Sequence, residues 1–168
     1  MISDDFNDKN ENSLRTLSRA IALSEGQFSL ILAHCNYQSL QQRLMQQLRE
    51  QCSVGFEAIV LDPSARTLYK TIHDTLGNKH PPALIVSGLE LVNNLQEILV
   101  VTNNERDEFL KLLFPLVLWV TDEVLQKFLR IAPDFTSWAA TPIGFTISTT
   151  ELLESLHDSA ESVFQAIL

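Results

Sequence analysis

Short apolar runs alternate with stretches of helical periodicity along most of this sequence. Residues 28–33, 56–61, 83–86 and 116–120 are each typical of a strand covered on both faces, and 143–147 is a fifth and weaker candidate. Because helical stretches separate these runs, we expect parallel strands joined by right-handed crossovers, with helices on both faces. The pattern predicts an α/β fold, a three-layer sandwich with a mostly parallel five-stranded sheet, and leaves the strand order open.

The chain has 168 residues, enough for one domain with a substantial core. Its start is acidic and rich in Asn, so we expect residues 1–12 to be a disordered lead-in and 13–168 to be a single domain. Asn12 or Ser13 would then cap a first helix over 14–23.

Capping and breaking residues place the later helices. Two helices are predicted after the third strand, over 89–101 and 105–113. Thr121 or Asp122 should cap the helix after the fourth strand, and Pro133 should end it.

The charge balance argues against several classes of partner. The formal net charge is −9 with a pI of about 4.8, and no cluster of Lys and Arg stands out. Nucleic-acid binding needs a basic surface that displaces counterions, so we expect no nucleic-acid partner. The longest apolar stretch, 109–120, contains Lys111 and Pro115 and is too short to span a bilayer, and residues 1–5 lack the positive and apolar regions expected of a signal peptide. We therefore expect a cytoplasmic domain without a membrane partner.

The cysteines and histidines show no metal-ligand spacing, so no metal site is predicted. Cys35 and Cys52 should both be reduced thiols. Cys35 lies at a turn before a helix, where a thiolate would be stabilised, but a catalytic cysteine also needs a separate base. The simpler interpretation is a small buried residue that closes the turn.

The first strand, the turn after it and the next helix form the arrangement that binds phosphate in P-loop proteins. Ser39 should cap this helix, with Gln42 completing a capping box. No residue at this turn matches the phosphate-binding motif G-x-x-x-x-G-K-[ST]. It would place Ala33 and Gln38 on the glycines, Ser39 on the lysine and Leu40 on the hydroxyl residue. The sequence therefore predicts the strand, turn and helix of a nucleotide site without the residues that bind the phosphates, and it predicts no cofactor.

The third and fourth strands carry a resemblance to a known superfamily. Residues 83–90, A-L-I-V-S-G-L-E, resemble the Walker B segment of STAND-type NTPases, which include the NACHT proteins. Ser87 stands where the magnesium-binding aspartate belongs, while Glu90 keeps the acidic position. Residues 116–122 resemble the sensor strand of that superfamily, with Asp122 in place of a basic residue. The chain therefore resembles a degenerate, inactive STAND/NACHT-type domain, as found at the N-terminus of bacterial multidomain signalling or defence proteins.

This resemblance implies a P-loop NTPase-like fold and a set of positions that have lost their nucleotide-binding function. Those positions are Ala33, Asn36, Gln38, Ser39, Leu40, Ser87, Glu90 and Asp122. The predicted function is a non-catalytic module for protein interaction or assembly, with no small-molecule substrate. An STAND-type ATPase with an atypical site and a Cys35-dependent enzyme are the alternatives. A flavodoxin-like sheet is the alternative fold, and it would place the first strand between the second and third.

The last predicted helix has an apolar stripe that reaches the final residue. Phe164, Ile167 and Leu168 lie at its end and are the candidate interface. The expected partner is another copy of this chain or a neighbouring domain of a longer polypeptide.

Overall fold

The computed structural model describes residues 2–148, 152–154 and 156–157. In chain order the elements are α1 (Ile2–Leu23), β1 (Ser29–His34), α2 (Gln38–Gln51), β2 (Glu57–Val60), α3 (Leu68–Leu76), β3 (Leu84–Ser87), a 3₁₀ turn (Leu89–Leu91), α4 (Leu95–Asn104), α5 (Arg106–Phe109), β4 (Pro115–Val120), α6 (Asp122–Ile131), α7 (Pro133–Thr136) and β5 (Ile143–Gly144). The described residues between 152 and 157 are helical.

The five strands form one parallel sheet in the order β2-β3-β4-β1-β5. The first strand lies between the fourth and the fifth, which is the arrangement expected of the NTPase relationship. A flavodoxin-like sheet would have β1 between β2 and β3, so that alternative is wrong. The predicted α/β fold with a P-loop NTPase-like sheet is confirmed.

Both faces of the sheet are covered, so the central strand is buried on both sides. All six residues of β4 are buried. Helices α1 and α2 pack on one face, where Trp119 donates its indole N–H to the sulfur of Met45 at 3.1 Å. Helices α3, α4, α6 and α7 pack on the other, around an aromatic cluster in which the rings of Phe109 and Phe135 lie 4.8 Å apart.

The N-terminal segment differs from the prediction, because residues 2–12 belong to α1 instead of a disordered lead-in. Asn10 gives a physical reason. Its buried side-chain amide donates to the carbonyl of Thr146 at 2.6 Å and accepts from the Thr146 N–H at 3.0 Å, as a neighbouring strand would. This pair ties the first half of α1 to the chain just after β5.

Several predicted boundaries also move. Helix α2 has Tyr37 at its N-cap, so the Ser39 cap is wrong. The helix predicted over 89–101 is split into the 3₁₀ turn and α4, since the chain is extended at Val92. Thr121 caps α6 as predicted, accepting from the N–H of Val124 at 3.2 Å.

Three further elements are shorter or begin elsewhere than expected. The helix predicted over 105–113 is reduced to α5, and the fifth strand to two residues. Pro133 begins α7 in addition to following α6, because its missing N–H costs nothing in the first turn of a helix. Within the described residues, no helix is both long and apolar enough to cross a membrane.

Candidate functional site

The carboxyl ends of β1, β3 and β4 meet at one edge of the sheet, where a P-loop protein binds phosphate. Three segments form this edge: residues 35–37 between β1 and α2, residues 87–90 at and just after the end of β3, and residues 121–122 after β4. The sequence-predicted positions lie on or beside these segments, so their arrangement decides what this edge can bind.

The turn between β1 and α2 is short and contains no glycine. Only residues 35–37 separate the two elements, and every positive φ among the described residues belongs to Gly26, Gly77 or Gly88. Phosphate loops use glycines so that successive backbone N–H groups can turn toward the anion. Here the N–H of Cys35 is already paired with the carbonyl of Val120 at 2.9 Å.

A cluster of three side chains closes this edge, and we call His34, Asn36 and Asp122 the edge cluster. The amide of Asn36 donates to Oδ2 of Asp122 at 2.8 Å, and its Oδ1 accepts from the backbone N–H of Asp122 at 2.7 Å. Nε2 of His34 contacts Oδ1 of the same carboxylate. The first residue of α6 thus has both its N–H group and its carboxylate engaged by the turn after β1.

The hydrogen bond from Asn36 lowers the pKa of Asp122 from its ordinary value, and the neighbouring His34 adds to this effect. The carboxylate is therefore ionised at neutral pH. It places a negative charge at the edge of the sheet where a P-loop protein binds phosphate.

Gly88 and Ser87 show how the third strand leaves the sheet. Gly88 has a left-handed φ of 92°, and a Cβ added there would lie 3.1 Å from the backbone nitrogen of Leu61. Only glycine suits this position. Ser87 is half-buried and Glu90 is exposed; together with Gln38 they line a cavity of about 290 Å³ between α2 and the end of β2.

The remaining predicted positions are not brought together. Ala33 is buried on β1, and Leu40 is buried on the sheet-facing side of α2. Ser39 is exposed in the first turn of α2. The candidate interface residues Phe164, Ile167 and Leu168 lie outside the described residues.

Cys35 is buried, in agreement with the simpler interpretation of the sequence. Its side chain is 3% exposed, and its Sγ donates to the carbonyl of Tyr37 at 3.4 Å. Burial raises the pKa of the thiol above its usual value, which disfavours the nucleophilic thiolate. His34, its neighbour in sequence, is engaged with Asp122 instead.

Sequence reasoning did not assign His34 to this edge, and it did not pair Asn36 with Asp122. The signal that could have found the pair is positional: each residue follows a parallel strand, and β1 and β4 are neighbours in the sheet. A similar arrangement, in which an asparagine side chain accepts from backbone N–H groups at the start of a helix, occurs away from the edge. There Asn103 accepts from the N–H groups of Asp134 and Phe135, both at 3.0 Å. Among the described residues, no group of three or more His, Cys, Asp or Glu side chains is placed to hold a metal ion.

Comparisons with known proteins add one likeness. No protein-family model matches the chain, and no curated protein matches it. Among solved structures, the chain is similar to the Orc1 protein of Aeropyrum pernix in complex with DNA, with 16% identity and a TM-score of 0.45 over 90% of this chain. The likeness covers 49% of the Orc1 chain, so this chain spans about half its length. The fold assignment therefore rests on the strand order.

Proposed function

We propose that this domain is a non-catalytic P-loop NTPase-like module that acts by contacting protein. The observation that carries the proposal is the edge cluster, in which Asn36 and Asp122 join the two segments between which a phosphate would bind. Phosphoryl transfer in this fold depends on a loop lysine, a hydroxyl and an acid that holds Mg²⁺. The corresponding positions are Ser39, Leu40 and Ser87.

Electrostatics supports the same conclusion. Asp62, Glu90, Asp122 and Glu123 all follow the carboxyl ends of strands and are exposed. Two like charges about 4 Å apart repel by about 1 kcal/mol even in water, and a triphosphate carries several charges. This edge therefore disfavours a nucleotide before any contact is made.

The Cys35-dependent enzyme has little support in this geometry. A nucleophilic cysteine needs an accessible thiolate and a base within hydrogen-bond reach. Burial and the raised pKa of Cys35 oppose the first requirement, and the contact of His34 with Asp122 removes the adjacent base. The atypical ATPase likewise retains only Glu90 of the expected acidic and basic groups.

A role within a signalling or defence protein follows from the resemblance to STAND-type domains. Such domains assemble under nucleotide control. A module without nucleotide binding would have to be controlled by an attached sensor or by a bound partner that prefers one of its states. The partner would be another copy of the chain or a neighbouring domain.

Isothermal titration with ATP, ADP and GTP in the presence of Mg²⁺ tests the proposal. We expect no saturable heat up to millimolar nucleotide, while an active P-loop ATPase titrated in parallel binds each of its nucleotides. Micromolar binding that disappears when Asn36 and Ser39 are substituted would overturn the proposal and favour the atypical ATPase.

A further inference from the structure

A groove on the α4 and α6 side of the carboxyl edge is separate from the edge cluster. It lies between the first two turns of α4 and the first two turns of α6 and has a volume of about 660 Å³, which is ample for several side chains of a bound segment. We call it the acidic groove and define it by six of its lining residues: Glu90, Val92, Leu95, Glu97, Val100 and Glu123.

Apolar side chains contribute half of that set. Val92 is almost fully buried, Leu95 is half-buried, and Val100 is 43% exposed although it lies on a helix with a well-packed inner face. Exposed apolar surface that is enclosed by polar residues is typical of binding sites. The groove therefore offers an apolar side chain a place to lose contact with water.

Carboxylates make up the other half. Glu90, Glu97 and Glu123 are all exposed. Lys127 is the cation that lines the groove, and its ammonium is paired with Glu123 at 3.2 Å. Glu90 and Glu97 have no ion-pair partner within the described part of the chain, so their charges are available to a bound cation.

We propose that the acidic groove binds a protein segment in which an apolar side chain is flanked by lysine or arginine. Charge complementarity selects this occupant. A nucleotide or nucleic acid would meet three carboxylates, and an acidic or purely apolar segment would leave them without partners. The inference rests on the proposed function, because it names the chemistry of the protein that the module contacts.

A random peptide library selected on the intact domain at physiological salt tests the proposal. Synthetic copies of the enriched peptides are then titrated, by fluorescence anisotropy, against the wild type and two triple variants. The groove variant is E90Q/E97Q/E123Q. The matched control, E11Q/E25Q/E57Q, removes the same number of exposed charges elsewhere.

We expect the enriched peptides to carry Lys or Arg beside an apolar residue. Exposed ion pairs contribute about 1.5- to 5-fold each to affinity, so the groove variant should bind about tenfold more weakly and the control within about twofold of the wild type. Val100→Asn, which removes apolar surface without changing charge, should also weaken binding. Circular dichroism of each variant establishes that it is folded.

Each of the following results would overturn the proposal: no enriched peptides, enriched peptides without basic residues, equal losses in the two triple variants, or self-association that depends on the groove. Peptides that bind elsewhere on the domain would also overturn it, yet would leave the proposed function standing. Binding of Mg²⁺-ATP would instead overturn the proposed function, and the peptide titrations would still decide whether the acidic groove binds basic segments.

Discussion

Replacing Asn36 by alanine removes both hydrogen bonds that join the turn after β1 to the start of α6. A typical intramolecular hydrogen bond contributes about 0.5–1.5 kcal/mol to stability. The Asp122 side chain is 66% exposed, so the low end of that range applies and the expected loss is about 1 kcal/mol in total. With an m-value of about 2 kcal/mol per molar urea, the unfolding midpoint should fall by about 0.5 M at neutral pH.

The loss should depend on pH, because the folded-state pKa of Asp122 is lowered by the bond from Asn36. A lowered pKa means that the carboxylate stabilises the fold above its ordinary pKa of 3.8 and that this contribution is lost as the pH falls through the folded-state value. The bond from the Asp122 N–H to Asn36 does not titrate. The destabilisation by Asn36→Ala should therefore shrink at acidic pH to what this second bond contributes.

Urea unfolding followed by circular dichroism across this pH range measures the effect, and an NMR titration of the Asp122 carboxyl measures its pKa. In Asn36→Ala the pKa of Asp122 should rise toward its ordinary value. The control is Asn103→Ala, which removes the similar bonds to Asp134 and should destabilise the domain without moving the pKa of Asp122. An unchanged Asp122 pKa in Asn36→Ala, or a loss of stability independent of pH, would refute the edge cluster as described.

Four other predictions concern separate parts of the chain. Gly88→Ala should destabilise the domain by about 2 kcal/mol or more, since it combines a left-handed φ with a close backbone contact; an unchanged urea midpoint would contradict this. Asn10→Ala leaves the backbone N–H and carbonyl of Thr146 without their partner, so it should lower the free energy of unfolding by about 1–3 kcal/mol and increase hydrogen exchange in α1. Unchanged exchange would show that this pair does not hold α1 in place. With Cys52 replaced by serine, Cys35 should react with a thiol reagent only after unfolding. Fast reaction in the native state would support Cys35 as a nucleophile. Substituting Phe164 and Leu168 with aspartate should abolish association in light scattering while the fold is retained; unfolding would instead place these residues in the core.

Much of the fold could be predicted from local pattern. The apolar run 116–120 predicted β4 without knowledge of the neighbouring strands, because an uninterrupted apolar run of this length is typical of a strand covered on both faces. The structure confirms that all six residues of β4 are buried. The parallel sheet followed from the alternation of strands and helices. The strand order did not follow from it, since alternation is shared by several doubly wound sheets, and it was anticipated through the resemblance carried by residues 83–90.

The candidate site was less predictable, because its contacts join distant parts of the chain. Asn36 and Asp122 are 86 residues apart, and Asn10 and Thr146 are 136 apart. A composition rich in Asn and acidic residues predicted disorder for the first 12 residues, yet one buried amide with a backbone partner links that segment to the fold. The acidic groove combines residues that follow β3 with residues that follow β4, so it requires the sheet order.

An NMR titration of the isotope-labelled domain with Mg²⁺-ATP tests the central claim most directly, because it reports on each backbone amide separately. The amides of Asn36, Ser39 and Asp122 lie where a bound phosphate would be. We predict that none of them shifts in a saturable manner up to millimolar nucleotide. Saturable shifts confined to these amides would show that the edge accepts a nucleotide and would contradict the account.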